Sequence, residues 1–148
     1  MPDNRQLMML TDLAHDRRDK AARKLGGSMA LLKESESRLV LLEGFCGDYR
    51  RRLAQSAAGG VSADELRNFR EFIAKLEKAV EQQRAEADSI RQAVARCRDD
   101  WLREHRRERS FDALVERAED AARVSEARRL QKLVDEFAGR VAMLRAAG

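Results

Sequence analysis

Proline is all but missing from this sequence. The single example, Pro2, stands ahead of any expected element, so nothing further along removes an amide donor or forces a helix to stop. Aromatic residues are scarce as well, at 5% of 148 residues, too few to fill the deep core of a rounded domain. No uninterrupted apolar run has the length of a signal peptide or a membrane span, which points to a cytoplasmic chain. The two cysteines, Cys46 and Cys97, suit a reducing compartment. Only two histidines occur, His15 and His105, and neither lies in a Cys-x-x-Cys or His-Glu-x-x-His spacing. They read as isolated, solvated side chains. With no glycine-rich loop after a strand either, the expectation is a protein with no catalytic residues, no metal and no cofactor.

What the sequence has in quantity is charge and alanine. Charged side chains are 38% of the chain, and 30 basic against 26 acidic residues leave a net charge of only +4. The two signs are interleaved, which favours short-range pairs on helix surfaces over a one-sided positive field. Hydrophobic residues at 43% are enough for a narrow seam.

That seam is visible as a seven-residue rule. Between about residues 5 and 57, Leu25, Leu32, Leu39, Cys46 and Leu53 occupy one position. Leu7, Ala14, Ala21, Leu42 and Tyr49 occupy the other, with Ser28 and Ser35 as polar gaps. Gly26, Gly27, Gly44 and Gly47 soften this first helix, each costing about 1 kcal/mol relative to alanine. A turn is expected over residues 58–61 at Gly59-Gly60, and Ser62 with Glu65 forms a capping box for the next helix.

The second helix, about residues 62–145, carries Leu66, Ile73, Val80, Ala87, Val94 and Trp101 alternating with Phe69, Leu76, Gln83, Ile90 and Cys97. Glu104 and Glu108 read as interruptions, after which Phe111, Val115, Ala118 and Ala122 resume the pattern. Leu130, Val134, Phe137, Val141 and Leu144 continue it in a shifted register. Folding the chain back at the glycines sets Cys46 against Ile73, Leu42 against Leu76, Tyr49 against Phe69 and Ser35 against Gln83. Cys97 then falls near Ala21, far from Cys46, so a disulfide is not expected. The first helix runs out near Asp112, and later residues overhang with an apolar stripe. The fold class is therefore all-α, a single-domain antiparallel coiled-coil hairpin with a C-terminal helical overhang.

Two features lie off the seam. Phe45 and Phe72 flank it where a two-helix pair has no interior to hide them, and Ala79 extends the same surface, as a partner-binding patch or as a widened seam. The basic run Arg103, His105, Arg106, Arg107 and Arg109 could touch phosphates, but Glu104 and Glu108 sit within it and no aromatics interleave to stack bases. Nucleic acid is accordingly not an expected partner, and a generic tethering coiled coil stays open as the structural alternative.

The chain resembles the flagellar type III export protein FliJ family over nearly its whole length. The resemblance rests on Leu7-x-x-Leu10-x-Asp12-Leu13-Ala14, Ala21-Ala22-Arg23 and Tyr49-Arg50-x-x-Leu53 in the first helix. In the second it rests on Phe72-Ile73-x-x-Leu76-Glu77-Lys78-Ala79-Val80-Glu81-Gln82, the lone Trp101 and Asp135-Glu136-Phe137-Ala138-x-Arg140-x-Ala142-Met143. It implies a non-enzymatic stalk that inserts into and stimulates the hexameric flagellar export ATPase. It also implies contact with the cytoplasmic domain of the export gate protein FlhA, an escort role for export chaperones, and peripheral association with the inner membrane through these partners. By the resemblance, the gate-binding residues would be Leu42, Phe45, Tyr49, Phe72, Leu76, Ala79 and Gln83. The ATPase-ring residues would be Leu7, Leu10, Leu13, Phe137, Arg140 and Met143. The equivalent stalk of a virulence injectisome shares this architecture and is the nearest alternative.

Overall fold

The structure is a computed structural model that describes residues 3–148; Pro2 lies outside the described residues. Two helices account for nearly all of it, α1 (Asn4–Ala58) and α2 (Ala63–Ala147), antiparallel and packed against each other. Between them Gly60 takes a φ of 83°, a left-handed conformation that glycine adopts without strain, and the Gly59 amide donates to the carbonyls of Gln55 and Ser56 at 3.1 Å. The start of α2 is capped as its sequence requires. Ser62 Oγ accepts from the Glu65 amide at 3.3 Å, and Asp64 and Glu65 place negative charge in the first turn.

Contacts cluster into two units. One comprises residues 19–102, the paired middle of the helices with the turn; the other comprises residues 3–18 and 103–148. In the first, Cys46, Ile73, Val80, Ala87 and Val94 are buried, with Ser35 among them. Ser35 and Gln83 meet as their spacing implies: Gln83 Nε2 donates to Ser35 Oγ at 2.9 Å and to its carbonyl at 3.3 Å. That satisfies polar groups which the seam would otherwise strip of water. Along the flank runs a charge ladder at seven-residue intervals, Arg50 with Glu77 at 2.5 Å, Arg84 with Glu43 at 3.0 Å and Arg91 with Glu36 at 3.2 Å. Each exposed rung is screened by water and contributes little alone, yet the sign pattern penalises a slipped alignment. Cys46 and Cys97 are both free thiols.

In the second unit Leu7, Thr11, Ala14 and Glu108 are buried. Asn4, Leu7 and Met8 share a groove with Val115, Ala118, Glu119 and Ala122. Pairing therefore continues to Ala122, beyond the expected end near Asp112. The reason is that the heptad of α2 passes unbroken from Trp101 through Glu108 to Val115. Glu104 and Glu108 are seam residues and not a break in it, Glu108 being buried and Glu104 half-buried. Past Ala122, Val141 is half-buried and every other residue is exposed.

Helical structure runs without a break through Gly26, Gly27 and Gly44, and a Cβ built on any of the three meets nothing within 4 Å. Gly26→Ala and Gly44→Ala should therefore each stabilise the protein by about 0.5–1 kcal/mol, since only backbone entropy changes. Urea denaturation of the two single variants and the double checks this; an unchanged midpoint would show that these glycines are held by something other than the helix.

Candidate functional site

The two groups of residues expected to meet partners fall in different units and differ in how they are built. In residues 19–102, a heptad seam one residue wide cannot enclose a side chain at a flanking position. Phe45 is 52% exposed and Phe72 43% exposed for this reason. Phe72 is not loose, however. Its ring lies 4.6 Å from that of Tyr49 at an interplanar angle of 59°, and the Arg52 guanidinium sits 5.3 Å over the other aromatic of the pair, Tyr49. The expected partner of Tyr49, Phe69, lines the same shallow groove of about 360 Å³ with Tyr49, Phe72, Glu65 and Asn68. Tyr49 thus bridges the seam and the surface patch.

Leu42, Leu76 and Ala79 are half-buried beside these aromatics in the sequence order of the two helices. Gln83 differs from the rest of the proposed gate set, because its amide is engaged by Ser35 across the seam. Its first task is structural.

In the other unit, Leu10 and Leu13 are exposed and lie around a groove with Ala14, Arg17, Arg107 and Phe111. Leu7 does not join them. At 6% exposure it packs inside the seam, so its side chain is not on offer to a partner while α1 is paired there. On the tail, Phe137 is 69% exposed, and Arg140 and Met143 are exposed with it. Val124, Leu130, Leu133, Val134 and Leu144 are exposed alongside. Salt bridges along it are local ones, such as Arg129 with Glu126 at 2.7 Å and Arg123 with Asp120.

The pairing also assembles a charged cluster where isolated histidines were expected. His15 Nδ1 donates to Glu108 Oε2 at 2.7 Å, and Arg18 Nε lies 3.1 Å from the same oxygen. His15 Nε2 is 3.6 Å from Asp112, and His105 Nδ1 is 3.9 Å from Glu108 Oε1. His15 is therefore not a solvated bystander. The hydrogen bond it donates to Glu108 raises its pKa above the ordinary 6.5, opposed by desolvation and Arg18 and helped by the charges of Glu108 and Asp112. The sequence did hold a signal for this cluster: Arg18 and Glu108 each stand at a seam position, seven residues from Leu25 and from Trp101. No group of three or more metal-ligating side chains with suitable geometry occurs among the described residues. Nor is any helix among them long and apolar enough to cross a membrane.

The sequence profile of the family described as "Flagellar FliJ protein" matches residues 3–147. The flagellar FliJ protein of Escherichia coli (strain K12) is 33% identical over 143 residues, 97% of each chain. That of Salmonella typhi is 34% identical over the same span and coverage. A solved structure of a Chlamydia trachomatis protein, described as a candidate YscO homologue, aligns over 100% of this chain and 98% of its own. Its identity is 18% and its TM-score 0.49, a likeness that does not bear on function.

If Tyr49 joins the surface patch to the seam, its contact with Phe72 should be measurable as coupling. A double-mutant cycle of Tyr49→Leu and Phe72→Leu should give about 0.5–1.5 kcal/mol of interaction energy in urea unfolding. Phe45→Leu, at a position 52% exposed, should change stability by less than about 0.5 kcal/mol. Additivity of the Tyr49 and Phe72 variants would show the rings to be independent.

Proposed function

This chain belongs to the flagellar FliJ protein family, a non-enzymatic group of flagellar export components, and from that premise we propose that it is the stalk of the export ATPase. Its tail and the neighbouring start of α1 enter the hexameric ATPase and stimulate it, while the Phe72 patch engages the cytoplasmic domain of the gate protein FlhA. Catalysis belongs to the ATPase. Export chaperones are escorted by the same protein, which resides in the cytoplasm and meets the inner membrane at the flagellar base only through these partners.

The observation that carries this reading is the tail beyond Ala122. Leu130, Val134, Phe137 and Leu144 follow a heptad and are exposed along it. A stripe of that period on a helix is built to pack against protein, since scattered surface apolar residues show no such phase. Leu10, Leu13, Phe137, Arg140 and Met143 are available for ring contact, whereas Leu7 supports them from inside the seam. For the gate, Phe45 and Phe72 are the accessible anchors, and Leu42, Leu76 and Ala79 contribute what their half-burial leaves open. An aromatic held by a neighbour loses little rotamer freedom on binding, which makes Phe72 the better anchor. Gln83 acts by fixing the helices beneath the patch. The flagellar apparatus is favoured over a virulence injectisome because both curated relatives are flagellar proteins.

Two experiments separate the halves of this proposal. Phe72→Ala combined with Leu76→Ala should keep the helical circular dichroism signal and weaken binding to the FlhA cytoplasmic domain about tenfold or more in a calorimetric titration. Unchanged affinity would remove the patch from the gate interface. Deleting residues 123–148 should abolish stimulation of ATP hydrolysis by the purified export ATPase while gate binding persists. A hydrolysis rate equal to that with the full chain would place the ATPase contact elsewhere.

A further inference from the structure

Among the features that this function does not use, the cluster around Glu108 is the one the geometry carries furthest. Its carboxylate is 8% exposed, and a carboxylate stripped of water to that degree depends on the cations around it. From α1 these are His15 and Arg18. From α2 itself, His105 approaches Oε1, Asp112 shares His15, and Glu104 stands one turn away with Arg107 at 3.8 Å. The buried residues around the cluster are Leu7, Thr11 and Ala14, and the Thr11 hydroxyl donates to its own helix at the Leu7 carbonyl rather than across the seam.

We propose that Glu108, buried between His15 and Arg18, forms with them a proton-operated clasp that holds residues 4–18 of α1 against α2 and loosens as pH rises. This goes beyond the stalk reading and does not depend on any partner. With the arm released, Leu7 is freed, and Val115, Ala118 and Ala122 are uncovered directly before the exposed tail stripe. The apolar surface on that part of α2 would lengthen by more than two turns.

The direction follows from His15. The folded protein binds its proton more tightly than an unfolded chain does, so the stabilisation is complete below pH 6.5 and disappears as pH climbs through the raised folded value. The Arg18 guanidinium, set against the same carboxylate oxygen, moderates the change. The clasp therefore weakens without breaking, and the response is a shift in how often the arm opens.

Hydrogen exchange of the purified full-length protein, followed by mass spectrometry and corrected for intrinsic rates, tests this. Between about pH 6 and about pH 8.5, protection of residues 8–18 should fall about threefold relative to residues 73–94, the scale expected of a partly exposed ion pair. His15→Gln should flatten the response, and His105→Gln should leave it. A constant protection ratio in the unmodified protein would overturn the clasp, and this comparison needs no variant to fold. An undiminished response in His15→Gln, or its loss in His105→Gln, would overturn the assignment equally.

Discussion

Two paired helices have one seam between them, and that seam is so narrow that every other position faces water. No large side chain among the described residues is fully buried; the most enclosed positions are Ala87 and Ala14. A seam of this kind supplies little hydrophobic energy per residue, so small residues serve it as well as large ones. It also gives weak guidance about alignment, because one leucine or alanine opposite another fits nearly as well after a slip of one heptad.

Polar groups provide the guidance that apolar packing cannot. Ser35 and Gln83 complete each other's hydrogen bonds only in one alignment, and the flanking ladder reverses sign between Glu43 with Arg84 and Arg50 with Glu77. A slip by seven residues would set like charges opposite each other at the reversed rung. In the unit formed by the chain's two ends, Glu108 plays the same part with His15 and Arg18, at greater expense because it is buried. Buried ion pairs often add nothing to stability compared with apolar substitutes, and their best-attested use is to fix registry. Here the registry fixed is the one that sets Leu7 beside Val115 and Ala118, and so decides where pairing stops and the free stripe begins.

The hairpin, its turn and its helix pairing were legible because each rests on strong local rules. The Gly59-Gly60 pair supplies the left-handed turn, Ser62 caps α2, and a heptad of apolar residues tolerates no reading as strand. The Ser35 to Gln83 contact was legible too, since two polar interruptions coincided on folding back. In a single helix a charged residue reads as the end of a seam. Glu104 and Glu108 therefore look like a gap, which hides their partners and puts the end of pairing several residues early. Only both helices of the seam taken together, with Arg18 facing Glu108, make a buried charge sensible. The ladder was equally hard to see, because interleaved charges at this density offer many seven-residue series and only the folded register picks out three.

The same narrowness bears on the partner surfaces. Tyr49 belongs to both the seam and the exposed patch, and through its ring contact Phe72 gains a fixed position without being enclosed. A flanking phenylalanine on a bare helix would sample several rotamers and lose that freedom on binding; one set against a seam tyrosine has already lost most of it. The tail makes the opposite choice. Leu130, Val134, Phe137 and Leu144 have no second helix to hold them, so their order along the stripe is imposed by helix geometry alone. A surface of that kind suits an enclosing partner that grips several turns at once, where the entropy lost by each side chain is offset by burial on more than one side. A patch for a flat docking partner needs pre-set anchors. On physical grounds, then, the Phe72 surface suits a partner approached from one side, as proposed for the gate domain, and the tail suits an enclosing one, as proposed for the ring.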